Sequence, residues 1–200
     1  MDEIIKNYVI FLKKYEEEIE INDYISQPLN TKKATKNEIE KTEKKLSITL
    51  PIELKNYYLN ESNGTEQDSE KYAIYDERLD VFSHQRIIGI YDYFKMYWDS
   101  MDVDIDVVNQ NISKDDMQFV NEKNREYFVF VADWSENFIE TIVFDKNGNF
   151  YRFYFDQDVH IIEYINEMIN GSKSMQTSKS FIKLLGDYLE EEKEEIKESL

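Results

Sequence analysis

The chain has 200 residues and carries 42 acidic against 24 basic side chains, a formal charge of −18. A field of that sign repels phosphate backbones and anionic membrane surfaces, so direct nucleic-acid or membrane binding is not expected. There is no cysteine, which excludes disulfides and thiolate metal sites, and no apolar stretch approaches the roughly 20 residues of a spanning helix.

In chain order, Ile5, Tyr8, Val9, Leu12, Tyr15 and Ile19 recur at helical spacing, predicting an amphipathic helix from Met1 to about Ile21. Asn22 to Lys33, with Ser26-Gln27-Pro28, reads as a linker. Residues 1–30 are thus a leading helix and linker, and 31–200 the domain. The opening MDEIIKNYVIFLKKYEEE lacks a basic start and a cleavable apolar run, so a cytoplasmic protein is expected.

Thr35 to Gly64 specifies two helices by local chemistry. Thr35 and Glu38 have the spacing of a capping box. Pro51 suits the first turn of a second helix, and Asn63 or Gly64 can take the left-handed geometry that ends one. Thr65 to Lys71 is turn-like, and Tyr72 to Tyr75 and the β-branched Ile87 to Ile90 are strand candidates. Tyr91, Phe94, Tyr97, Trp98 and Met101 form one helical stripe of core character. Asp102, Asp104 and Asp106 alternate with Val and Ile, but without the glycine and terminal glutamate of a calcium loop they read as an acidic loop or edge strand.

Between Phe138 and Asp156 a hairpin is expected about Asn147-Gly148. A two-residue type I′ turn there would pair Lys146 with Asn149, Phe144 with Tyr151 and Ile142 with Phe153. This places Ile142, Phe144, Tyr151 and Phe153, continued by Phe138 and Phe155, on an apolar face. Thr141, Val143, Asp145, Arg152, Tyr154 and Asp156 fall on a half-exposed one. Val159 to Ile169 fits a final strand or a short helix equally. A last helix starts near Ser178 or Ser180 and ends in Glu190 to Glu198 (EEEKEEIKE), a solvated end in which Lys193 and Lys197 offset part of the self-repulsion.

No catalytic pattern emerges. His84 and His160 lie in unrelated contexts, and with five glycines there is neither a phosphate-cradling loop nor a dinucleotide fingerprint. The expectation is a protein that is not an enzyme and holds no metal or cofactor.

Glu38-Ile39, Glu43, Leu46, Leu50-Pro51, Leu54, Tyr58 and Asn63-Gly64 resemble the opening motif of the SMI1/KNR4 (SUKH) superfamily. Tyr127 to Phe155 and Ser180-Phe181 with Leu184-Leu185 resemble its later blocks, so the likeness covers roughly Thr35 to Leu189. It departs after Ala132-Asp133, where many members carry glycines and this chain has Trp134-Ser135-Glu136-Asn137. The resemblance implies an α+β domain in which helices pack one face of an antiparallel sheet, here with an added N-terminal helix and an acidic C-terminal helix. It also implies a non-catalytic binding module. Bacterial members are largely immunity proteins that neutralise toxins, often nucleases, delivered between neighbouring cells; fungal relatives imply a regulatory or scaffolding adaptor instead. A basic toxin domain is the expected partner. The residues expected to meet it are Asp102, Asp104, Asp133, Trp134, Glu136, Tyr154, Asp156 and Asp158, carboxylates to steer a cationic surface and aromatics to anchor it.

Overall fold

The computed structural model describes residues 3, 4, 7, 10, 11, 14, 32–64, 80–100, 112–134, 138–156, 161–170 and 176–199. The first helix, α1 (Lys36–Leu46), begins at the capping box. Glu38 N–H donates to Thr35 Oγ1 (3.3 Å), and Thr35 N–H donates back to the Glu38 carboxylate (2.7 Å). It ends at Ser47, whose φ of 57° is left-handed. Ile48 N–H reaches Glu43 O and Ser47 N–H reaches Lys44 O, the paired bonds of a Schellman stop. After Pro51 as N-cap comes α2 (Ile52–Asn60). The Glu43 carboxylate spans the junction, accepting Leu50 N–H (2.8 Å) and pairing with Lys55 (2.7 Å).

Gly64 is required by its surroundings. Its φ is +90°, and a Cβ there would lie 2.3 Å from Val81 O. The Asn63-Gly64 turn is pressed against the start of the sheet, where Asn63 Oδ1 accepts His84 N–H (3.2 Å).

The sheet is wholly antiparallel. Strands β1 (Asp80–Val81) and β2 (Ile88–Gly89) both pair β3 (Tyr127–Trp134), followed by β4 (Phe138–Asp145), β5 (Phe150–Asp156) and β6 (Gln176–Ser178), in the order β1-β3-β4-β5-β6. Helices α3 (Ile90–Ser100) and α4 (Lys114–Lys123) precede β3; α5 (Ile161–Asn170) and α6 (Phe181–Ser199) flank β6. The ambiguous segment after β5 is therefore helical over 161–170. The α+β class with an antiparallel sheet and packed helices is as expected.

The hairpin register differs from the expected one by a residue. Phe144 pairs Phe150, Val143 pairs Tyr151 and Ile142 pairs Arg152. Asp145 supplies the local preference, and the burial of Phe150 in the core agrees with it. Its carboxylate accepts Asn147 N–H, Asn149 N–H, the Asn149 amide and the Tyr151 hydroxyl at 2.7–2.9 Å. Those bonds favour a three-residue loop with Gly148 left-handed (φ +73°) over the two-residue turn.

Both sheet faces are buried where the side chains are described. Phe128, Phe130, Val131, Ile142, Phe144 and Phe150 pack with α1, α2 and α6, centred on the fully buried Leu54, Tyr58 and Phe181. Val129, Ala132 and Val143 pack with the aromatic helix α3 and with Val120, Ile161, Tyr164 and Ile165. A bulge between Val129 and Val131 gives Phe130 and its neighbour Val131 to the same face. Asn124 crosses from α4 to the start of α3, its Oδ1 accepting Tyr91 N–H (2.8 Å). Glu53 of α2 caps α6, accepting the Ser180 hydroxyl (2.8 Å) and Phe181 N–H (3.1 Å) across 127 and 128 residues.

Candidate functional site

Strand pairing brings four of the expected partner-binding positions together. Asp133 pairs Glu140, which pairs Tyr154; Trp134 pairs Ile139, and Asp156 pairs Phe138. Asp133, Trp134, Tyr154 and Asp156 thus share the end of the sheet distal to the Asp145 loop. Asp102, Asp104, Glu136 and Asp158 lie outside the described residues.

The half-exposed sheet face expected from the hairpin is not present as such. Thr141 and Val143 are buried beneath the α3 side, and Arg152 and Asp145 are only 8% and 6% exposed. The one-residue change of register moves the residues of β5 to the other face, and helices cover both faces where the side chains are described. Arg152 turns toward α6, where its guanidinium meets Glu191 at 2.7 Å and lies 4.9 Å from the Tyr188 ring centre. That hydrogen bond holds the Glu191 carboxyl below the usual carboxylate range.

The acidic end of α6 is more than a solvated tail. Leu189 and Ile196 are buried, and the aliphatic core there takes in Ile4 and Phe11 of the leading segment. Lys193 and Lys197 lie 5.9 and 5.6 Å from the Phe11 ring centre. All six described positions between 3 and 14 are helical. The signal for this contact was present in the sequence, as apolar residues spaced along both helices, but nothing in either helix names the other as its cover.

Two clefts are lined by described residues. One, of ≈ 540 Å³, lies between β6 and α6, with Gln176 and Thr177 on one wall and Lys183, Asp187, Glu190 and Glu191 on the other. Another, of ≈ 380 Å³, is bounded by Pro51, Ile52, the hairpin loop at Lys146-Asn147 and Lys179. Reasoning from sequence missed the first because β6 is only three residues long and Gln176-Thr177-Ser178 has no apolar alternation.

The titratable groups within the fold are accounted for by packing. His84 is buried, its Nδ1 lies 2.7 Å from Thr42 Oγ1, and burial pushes its pKa below the ordinary 6.5. Burial and the bond to Asp145 push the Tyr151 phenol well up. Among the described residues no group of three or more His, Asp or Glu side chains could hold a metal ion, and no helix is long and apolar enough to cross a membrane.

No curated protein and no solved structure matches the chain. One family model does, over residues 33–186, from just before the capping box to the sixth residue of α6. The span takes in the Glu43-stapled helix pair, the Gly64 turn, the six-stranded sheet and the Glu53-capped start of the last helix, and it leaves out the leading segment and the acidic end that cover each other. On that match the chain belongs to the SMI1/KNR4 family (SUKH-1).

Proposed function

We propose that this chain is a non-catalytic binding protein of the bacterial toxin-immunity type, acting in the cytoplasm to bind and occlude a cognate toxin domain, most simply a nuclease. The observation that carries the reading is the charge of −18 on a member of this family. A nuclease surface is shaped to attract phosphate, and an acidic protein presents carboxylates where that surface expects phosphates. Association is then fast and electrostatically steered, with specificity from buried anchors. The acids along the outer side of α6 add to this support.

The test is to establish whether a toxin gene of secreted-protein architecture lies immediately upstream and to co-express this chain with it. Protection of the cells, and a complex whose association rate falls steeply with salt, are expected. Wild-type protein that neither protects nor binds would overturn the immunity reading. Turnover of a nucleotide, peptide or ester that tracks the protein through purification, and that a single substitution abolishes, would overturn its non-catalytic part.

A further inference from the structure

We propose that the outer edge of β6, with the cleft between it and α6, takes an extended basic segment of a partner as an added strand. The proposal rests on the binding-module reading and names the surface and the chemistry of what docks there. Among the described residues, β5 is the only strand that pairs β6. Gln176 and Thr177 are exposed and Ser178 is half-buried. Every second residue of an edge strand turns its N–H and C=O outward, a ready template for another chain. Natural edges are commonly blunted by shortness, proline or an inward charge; β6 is short but has neither of the other two. The opposite edge of the sheet is broken into two strands of two residues each, β1 and β2, with the buried His84 and Ile87 between them.

Charge decides the occupant. The far wall of the cleft is the α6 stripe Lys183, Asp187 and Glu190, joined by Glu191. Lys183 is paired with Asp187 at 3.0 Å, Glu190 with Lys193 at 2.6 Å and Glu191 with Arg152 at 2.7 Å, but α6 from Lys183 to Glu198 carries seven acids against three bases, so the helix that forms the wall stays net acidic with Arg152 counted. A second copy of this chain would set that wall against its own image, and a chain of charge −18 repels its copy as a whole. A lysine- or arginine-bearing strand is complementary on both counts. Because β6 is three residues long, it offers few main-chain bonds. Much of the affinity must then come from the acidic wall and must fall with salt.

The experiment titrates the full chain with a short alternating lysine–valine peptide and its glutamate–valine counterpart, following backbone amides by NMR and hydrogen exchange. The lysine peptide is expected to slow exchange at Gln176, Thr177 and Ser178, with affinity falling as salt rises and no binding of the glutamate peptide. The pair Asp187→Lys and Glu190→Lys is expected to weaken binding about tenfold, the scale of two exposed charges changed from attraction to repulsion. The charge-matched control pair Glu40→Lys and Glu163→Lys, on α1 and α5, should retain most of it. Equal loss in both pairs, perturbed amides away from β6, or dimerisation through this edge would overturn the proposal. With a cognate toxin in hand the two readings separate. Equal toxin binding by wild type and the Asp187/Glu190 variant removes the edge but leaves the immunity role. Peptide capture at β6 without toxin binding keeps the edge and removes that role.

Discussion

The α1–α2 pair and the β4–β5 hairpin are both set by short polar signals, but only the first behaves as those signals suggest in isolation. In α1–α2 each signal has one taker: Thr35 and Glu38 cap one another, and Ser47 stops the helix. In the hairpin two signals compete. Asn147-Gly148 favours a two-residue turn, while Asp145 offers one carboxylate to four donors, and the carboxylate wins. A charged, largely buried acceptor with several partners outweighs a dihedral preference worth less than any two of its hydrogen bonds. Where local signals agree, fold follows from them; where they conflict, the group that is costliest to leave unpaired decides.

The largest expected effect tests whether the helix pair is anchored by packing beyond its own signals. Leu54 is fully buried between α2 and the sheet, and Leu54→Ala should cost about 2–5 kcal/mol in urea unfolding. A loss below about 0.5 kcal/mol would mean that the α1–α2 pair stands without the sheet. Next, Asp145→Ala should cost roughly 1.5–3 kcal/mol, the range for losing a charged acceptor of buried donors. Cross-strand nuclear Overhauser contacts between Val143 and Tyr151 should nevertheless persist, because a slip of β5 would turn Phe150 out of its core and Arg152 away from Glu191. A change to the two-residue turn in that variant would show that Asp145 alone sets the register.

The two regions should also respond to acid in separate windows. His84, packed against α1 and α2, has its folded pKa below the ordinary 6.5. The unfolded chain therefore takes up its proton first, and stability begins to fall as pH drops below about 6.5. Asp145 has its folded pKa below the ordinary 3.8, through the hydrogen bonds of Asn149, Tyr151 and Asn147, which outweigh the opposing effect of burial. Its contribution is present above 3.8 and is lost only as pH falls through the lower folded value. Hydrogen exchange measured from pH 8 to pH 4 should show α1–α2 loosening before the hairpin; the reverse order would contradict both assignments. The smallest effect is a gain. Ser47→Gly removes left-handed strain of roughly 1–2 kcal/mol and adds unfolded-state freedom of about half that, so stability should rise by about 0.5–1 kcal/mol.

Much of the first helix pair and the class of the fold could be read from residues near one another. Thr35, Pro51 and the aromatic stripe of α3 act within a turn or two of themselves. The second covered face could not be read so, because the half-polar look of Thr141, Asp145 and Arg152 says nothing of Tyr188 or Glu191, which reach Arg152 from another helix. Of the candidate interaction surface, pairing places Asp133, Trp134, Tyr154 and Asp156 at one sheet end. The β6 edge was illegible, since three polar residues become a strand only where β5 offers them partners.

The Glu53 carboxylate that receives Ser180 and Phe181 also sets a timetable. Phe181 fills a ring cluster with Tyr57, Phe130 and Phe150 at centroid distances of 6.0, 5.4 and 5.5 Å, so α2 finds its full cover only when α6 arrives 127 residues later. At a synthesis rate of about 5–20 residues per second, the ribosome delivers that cover roughly 6–25 s after α2 has been made. During that interval Tyr57 and Leu54 are exposed to whatever else the nascent chain meets. The capping box, the Ser47 stop and the Glu43–Lys55 pair, all complete within α1 and α2, bias the two segments toward helix while they wait, and the sheet then fixes helices of 11 and 9 residues that are marginal alone.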